Sequence, residues 1–146
     1  MAIFLKPITK ENYDAICDID VAKHQQDLVA CNMYSLVESF FNEGYITRAI
    51  YQDEDLVGFF MWVEESADKT AIWRFMIDEK YQQQGIGSQA LTLALSEIKQ
   101  RPTVKTIEIC YKPDNPVAKS FYSRYGFVEI GMDKDNEDML AEIQIT

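Results

Sequence analysis

Two stretches of the chain carry residues whose types and spacing can do chemistry. The first reads Asn115-Pro116-Val117-Ala118-Lys119-Ser120-Phe121-Tyr122-Ser123-Arg124-Tyr125-Gly126-Phe127. Asn115 is a good N-cap, and Pro116 suits the first helical position, where its missing N–H would lack an intrahelical partner anyway. Gly126 can take the left-handed conformation that ends a helix, which returns Phe127 onto Tyr122 or Phe121. Val117, Ala118, Phe121, Tyr122 and Tyr125 recur at helical spacing, so one face is apolar and the Tyr122 hydroxyl on or beside it needs a partner. A phenol with a reference pKa near ~10 can give a proton to a departing anion without being ionised at rest. Core packing with satisfied hydroxyls is the other reading of the same stripe.

The second stretch, Tyr81-Gln82-Gln83-Gln84-Gly85-Ile86-Gly87-Ser88, places two glycines where a strand hands over to a helix. Backbone N–H groups there have no intrahelical partner and carry the positive end of the helix dipole, while glycines let a ligand approach the main chain. A diphosphate fits such a cradle. Apart from Lys80 at its edge the loop has no lysine, which excludes a Walker A phosphate loop. Gly85-Ile86-Gly87-Ser88-Gln89-Ala90 also matches a loose dinucleotide fingerprint. That fingerprint normally follows a first strand, however, whereas several elements precede this one and too little chain follows it. A glycine-rich turn without a ligand is the alternative.

The elements that must position these stretches follow from periodicity. Residues 3 to 8 alternate as a short strand ended by Pro7, and Thr9 can cap a helix bearing Tyr13, Ile16, Cys17 and Ile19 on one face. A second helix is predicted from Asn32 to Asn42, with Leu36, Val37, Phe40 and Phe41 as its buried stripe and Gly44 as its stop. Ile46 to Gln52 and Leu56 to Glu65 read as a hairpin turning at Asp53-Glu54-Asp55, and Ala71 to Asp78 as a third strand. A helix from Gly85 to Gln100 presents Ile86, Ala90, Leu91, Ala94, Leu95 and Ile98. It connects to a strand from Val104 to Tyr111, and a crossover helix implies a parallel pair. After the Asn115 helix come a strand from Phe127 to Met132, an acidic turn from Asp133 to Asp138, and a last strand to Ile145. The order is β α α β β β α β α β β, a mixed α/β sandwich.

The chain has 146 residues, 47% of them hydrophobic, which fits one domain over residues 1–146. The opening apolar stretch is too short for a signal peptide and no run approaches transmembrane length, so a cytoplasmic, membrane-free protein is expected. Cys17, Cys31 and Cys110 have no metal-ligand or disulfide spacing and read as reduced packing residues. The formal net charge of −10 repels a nucleic-acid backbone and favours a cationic small molecule over long range.

Gln82-x-x-Gly85-x-Gly87 at a strand-to-helix junction, followed by Asn115-x-x-Ala118-x-x-Phe121-Tyr122-x-x-x-Gly126-Phe127, resembles the GNAT superfamily of N-acetyltransferases. Trp73-Arg74-Phe75-Met76-Ile77-Asp78-Glu79-Lys80-Tyr81-Gln82 and Val29-Ala30-x-Asn32-x-Tyr34-Ser35-Leu36 look most like the bacterial spermine/spermidine-type acetyltransferases. The resemblance implies an α+β fold with a mostly antiparallel sheet, a central parallel pair splayed around the cofactor, and helices on both faces. It implies acetyl-coenzyme A (acetyl-CoA) as donor, with its diphosphate on the backbone of Gln83, Gln84, Gly85, Ile86, Gly87 and Ser88 and Gln82 opening the motif. Pantetheine would pair with Phe75, Met76 and Ile77, and Asn115 would reach it. Ala118 and Lys119 would lie along the donor, with Lys119 or Arg124 as candidates for its 3′-phosphate. Tyr122 would approach the thioester sulfur as general acid, and a main-chain N–H at Met76 or Ile77 would hold the oxyanion.

An amine attacks a thioester only when neutral, and with a reference pKa near ~10.4 under ~0.1% of an alkylamine is neutral at pH 7. Deprotonation must therefore be assisted. Related polyamine enzymes often place a carboxylate where this chain has Trp73 and Arg74, which leaves a water relay to Glu64, Glu65, Asp27 or Glu38. Acceptor recognition is expected from His24, Asp27 and Glu38 in the helical pair and from Asp133, Asp135, Glu137 and Asp138 in the last hairpin. Another amine acceptor, such as a protein N-terminus, amino acid or aminoglycoside, remains open, as does an acyl-CoA sensor without turnover. A homodimer is expected only by analogy with relatives.

Overall fold

The computed structural model describes residues 2–19 and 31–145. Seven strands form one sheet in the order β1-β2-β3-β4-β5-β7-β6. They are β1 (Ile3–Lys6), β2 (Tyr45–Gln52), β3 (Asp55–Glu64), β4 (Lys69–Ile77), β5 (Thr106–Tyr111), β6 (Val128–Met132) and β7 (Met139–Gln144). β4 and β5 run parallel, and the other described neighbours run antiparallel. The helices are α1 (Tyr13–Asp18), α2 (Asn32–Phe41), α3 (Ile86–Lys99) and α4 (Pro116–Ser123). The expected helices on both faces are present. Phe60 and Trp62 of β3 pack with Ile86, Leu91 and Ile98 of α3, while Phe59 and Met61 point the other way, into a core with Ile16 of α1.

Two expectations about the first helices are corrected. α1 starts at Tyr13 with Asn12 as its N-cap residue; Thr9 instead closes the turn before it, giving its N–H to Asn12 Oδ1 at 2.7 Å. Tyr13 is exposed and Ile16 supplies the buried contact. In α2 the predicted buried stripe faces outward: Val37, Phe40 and Phe41 are 53%, 84% and 77% exposed, and of that stripe Leu36 alone packs on the core. The side toward the sheet is polar. Asn32 donates to the Ile16 carbonyl at 2.9 Å, and Ser35 and Glu38 accept from Arg74 of β4 at 3.1 and 3.0 Å. The half-buried cation on β4 needs acceptors, and Asn32, Ser35 and Glu38, at spacings of three, supply one polar face. Phe40→Asp is accordingly expected to change stability by less than about 0.5 kcal/mol in urea unfolding, whereas Ile16→Ala should cost about 2–5 kcal/mol. A loss of several kcal/mol at Phe40 would show that its ring is covered.

What positions the site is a bulge in β4. Met61 opposes Arg74 and Trp62 opposes Ile72, which leaves Trp73 unopposed. An extra residue bends its strand and disrupts the ladder. Pairing of β4 with β5 runs from Lys69 and Thr106 to Ile72 and Ile109 and stops there, at the residue before the bulge. Beyond it Phe75, Met76 and Ile77 remain paired to β3, with their other edge facing the gap between β4 and β5.

Candidate active site

The gap opens into a cleft of about 500 Å³ walled by Phe75–Ile77, the loop after β4, the start of α3 and one side of α4. Gly85 caps α3 in the left-handed region at φ 78°, and no side chain caps the helix. Its first intrahelical bond runs from the Gln89 N–H to the Gly85 carbonyl, so the N–H groups of Ile86, Gly87 and Ser88 precede the helical ladder without partners in it. Apart from its chain neighbours, a Cβ on Gly85 would meet no atom of the described residues within 4 Å, and one on Gly87 would touch the rings of Phe75 and Phe121 at 3.8 Å. The cradle is thus open above the first glycine and floored by aromatic rings beneath the second. α4 contrasts with it, because Asn115 Oδ1 accepts the Ala118 N–H at 3.1 Å and closes that helix start. The loop is tied at both sides. Gln82 Nε2 donates to the Ile77 carbonyl at 2.9 Å, and the Tyr125 hydroxyl donates to the Ser88 carbonyl at 2.6 Å.

α4 ends in a Schellman motif. Phe127 N–H bonds the Tyr122 carbonyl at 3.3 Å and Gly126 N–H bonds that of Ser123 at 3.0 Å, with Gly126 at φ 94°. This closure brings Phe127 edge-on to Tyr122 at 5.8 Å, while Phe121 lies edge-on at 5.2 Å and Tyr111 stacks parallel at 5.9 Å and 10°. The Tyr122 ring is buried and lines the cleft, and its hydroxyl makes no hydrogen bond with a described residue. Burial, reinforced by Cys110 and Tyr111, raises its pKa well above the ordinary phenol value. It is a protonated donor aimed at nothing within the described chain.

Cys110 lies one residue beyond the last β4–β5 pair. Burial pushes its thiol from 9.0 up to about 11, so at neutral pH it is a protonated packing thiol and not a competing nucleophile. Because the folded chain holds this proton more tightly than the unfolded one, the associated stability is present below pH 9 and is lost as pH rises toward 11. The loss amounts to about 2–3 kcal/mol. Tyr111 and Tyr122, also raised, add the same sign above about pH 10. Urea midpoints of Cys110→Ala should fall less between pH 8.5 and 10 than those of the parent; parallel curves would contradict this.

The Acetyltransferase (GNAT) family model matches residues 9–127. The chain belongs to the GNAT acetyltransferase family. It is 29% identical over 134 residues to the spermine/spermidine N(1)-acetyltransferase of Bacillus subtilis, covering 87% of this chain and 88% of that one. Among solved structures, the PaiA N-acetyltransferase of Thermoplasma acidophilum, in complex with coenzyme A, superposes with a TM-score of 0.75 at 18% identity. That match covers 99% of this chain and 100% of that one. A GNAT family acetyltransferase from Elizabethkingia anophelis with acetyl-CoA bound gives a TM-score of 0.71 at 20% identity, covering 98% of each chain. The seven-stranded sheet with its parallel pair is the fold these structures share.

On this GNAT fold most of the residues singled out in the sequence converge. Phe75, Met76, Ile77, Gln82, Gln83, Gly85, Ile86, Gly87, Ser88, Asn115, Ala118 and Tyr122 all line the cleft. Gln84 and Lys119 are not among its walls: Gln84 turns back to the Lys80 carbonyl, and Lys119 pairs with Glu129 at 3.4 Å. Of the two cations considered for a 3′-phosphate, Arg124 lines the cleft, its guanidinium 5.9 Å from the centre of the Phe121 ring. Tyr81, Val117 and Phe121 also line it without having been singled out for it. Val117, read as part of an apolar core face, is 70% exposed. Spacing put Val117 on the correct side of α4, but whether that side meets a core or a cleft depends on the strand splay.

The acceptor side is less assembled. His24 and Asp27 lie outside the described residues. Glu38 is held by Arg74, the residue next to Phe75 in the wall, through Oε1. Glu64 and Glu65 are set at the far end of the β3–β4 hairpin, where they face Arg101 and Lys69 at 3.5 and 3.6 Å. Glu64 pairs with Thr70, and five residues of strand, roughly 17 Å, separate that position from Phe75. In the acidic turn the Asp133 carboxylate accepts the Glu137 N–H at 2.9 Å, which lowers its pKa, and Asp138 pairs with Lys112 at 3.3 Å. The first carboxylate closes the turn and the second ties it to the residue after β5.

Proposed function

We propose that this GNAT enzyme transfers the acetyl group of acetyl-CoA to a primary amine of a small polycation such as spermine or spermidine, by direct attack within the one domain. The observation that carries the reading is a single cleft onto which an uncapped helix N-terminus and the unpartnered Tyr122 hydroxyl both open. The residues fit the donor. Backbone N–H groups from Gln83 to Ser88 suit its diphosphate, since a helix start with no side-chain cap is an anion site. The free edge of Phe75–Ile77 suits pantetheine by strand addition. Asn115 already uses Oδ1 as a cap, so its amide nitrogen is the group left for a pantetheine carbonyl. Bound acetyl-CoA supplies the activated acyl group as a thioester.

The chain's own residues then supply proton handling and orientation. Tyr122, kept protonated by burial, gives its proton to the departing thiolate. The N–H of Met76 or Ile77, on the edge β5 has left, holds the developing oxyanion. Glu38 seats the incoming ammonium beside the bulge and relays its proton through water, its carboxylate fixed by Arg74, which in turn donates to the Ser35 hydroxyl. The net charge of −10 draws a polycation over long range, and the curated relative from Bacillus subtilis carries a polyamine name.

A different amine is favoured by one specific observation: Trp73 and Arg74 stand at and next to the bulge, where related polyamine enzymes often place the carboxylate that assists deprotonation. Free-thiol release from acetyl-CoA, measured across spermine, spermidine, an N-terminal peptide, free amino acids and an aminoglycoside, decides between them. Fastest turnover with spermine or spermidine is expected. Turnover with another amine alone would reassign the acceptor, and donor binding without turnover would make the protein a sensor.

A further inference from the structure

Tyr122 has a neighbour whose arrangement packing alone does not require. Tyr111 ends β5, and its hydroxyl donates to Glu129 Oε2 of β6 at 2.8 Å, while Glu129 Oε1 is paired with Lys119 Nζ of α4 at 3.4 Å. A tyrosine pinned at its backbone by β7 through the Tyr111–Met139 pair and at its hydroxyl by β6 has little freedom to swing. Its ring is the surface that lies flat on Tyr122, at 5.9 Å and 10°; Phe121 and Phe127 meet that ring at 76° and 75°. Edge contacts limit how far a ring can shift, but a parallel neighbour sets the plane in which it lies. The plane matters because the tyrosine oxygen sits far from its backbone. A tilt of about 10° displaces it by roughly 1 Å, and errors of that size cost about 100-fold in rate. Since the Tyr122 hydroxyl has no hydrogen bond of its own in the described chain, nothing at its tip corrects such a tilt.

We propose that Tyr111 is a positioning residue: anchored through its hydroxyl to Glu129, which Lys119 holds in turn, it fixes the ring plane of Tyr122 so that the Tyr122 hydroxyl meets the donor sulfur. The proposal rests on the reading of Tyr122 as general acid. It also gives Lys119 a place in the molecule, as the outer member of the anchor that spans α4 and β6.

The test is a double-mutant cycle at saturating acetyl-CoA and acceptor. Tyr111→Leu should lower kcat by about 10- to 100-fold with the KM for acetyl-CoA changed less than about 3-fold. Tyr111→Phe keeps the stack but loses the anchor, so an intermediate loss is expected, while Glu129→Gln on its own, which retains an acceptor oxygen for the Tyr111 hydroxyl, should leave kcat within about 2-fold of the parent. In a Tyr122→Phe background, Tyr111→Leu should cost nothing further, because it acts through the hydroxyl already removed. Thermal midpoints are recorded for every variant, and rates are read below all of them. Losses that multiply independently in the double variant, or a Tyr111→Leu enzyme that is less stable but equally fast, would overturn the positioning role. If Tyr122→Phe alone left kcat unchanged, the general-acid reading would fail first and the positioning role with it.

Discussion

Tyr122→Phe is expected to lower kcat by about 10²- to 10⁴-fold, the range a positioned general acid supplies. The dissociation constant for acetyl-CoA should move by less than about 3-fold. The split follows from where the hydroxyl stands. It makes no hydrogen bond with a described residue, so its removal strands no buried partner, and the phenylalanine ring keeps its contacts with Tyr111, Phe121 and Phe127. Stability should therefore hold within about 0.5 kcal/mol. The tyrosine pKa lies above the ordinary range, so deprotonation of Tyr122 is not expected to set the alkaline limb of the parent's pH profile. Single-turnover rates and equilibrium titration of the donor, made on the same variant, check both halves. An unchanged rate would remove Tyr122 from the chemistry.

Gly87→Asp should separate stability from donor binding. A Cβ at Gly87 meets the Phe75 and Phe121 rings at ordinary contact distance, so the first carbon of a side chain fits without displacing them. A carboxylate in the first turn of α3 favours the helix by about 0.3–1 kcal/mol through the dipole. The same carboxylate competes for the N–H groups from Ile86 to Ser88 and repels a diphosphate. Charge-assisted hydrogen bonds are worth about 1.5–3 kcal/mol each, so losing one or two weakens acetyl-CoA by about 10- to 10⁴-fold. The expected pairing is an unchanged or higher urea midpoint together with a steep rise in KM for acetyl-CoA. A variant that bound the donor normally would show that the anion sits elsewhere.

How much of this was legible in the sequence follows from the range over which each signal acts. The cap at Asn115, the stop at Gly126 and the glycines of the loop act within one helical turn, and the structure forms each of them as the local chemistry dictates. The parallel pair follows from the crossover helix and the mostly antiparallel sheet from the family resemblance, and the sheet agrees with both. Trp73 shows what a single sequence hides: a bulge is a count of residues on two strands, and nothing in Trp73-Arg74 alone reveals that Met61 and Trp62 skip a partner. The orientation of α2 fails for a related reason. Its apolar residues repeat at helical spacing, but Asn32, Ser35 and Glu38 answer to a methionine and an arginine on β4 more than thirty residues away, so the polar side turns inward. The Lys119–Glu129 pair across the α4–β6 junction is another contact between distant elements that one sequence does not announce.

The most direct measurement is a crystal structure with acetyl-CoA, or with coenzyme A and an acceptor amine. The diphosphate oxygens are expected on the backbone N–H groups between Gln83 and Ser88, pantetheine along Phe75–Ile77, and the Tyr122 oxygen within about 3.5 Å of the sulfur. A donor bound away from that loop, or a Tyr122 hydroxyl turned from the sulfur, would contradict it.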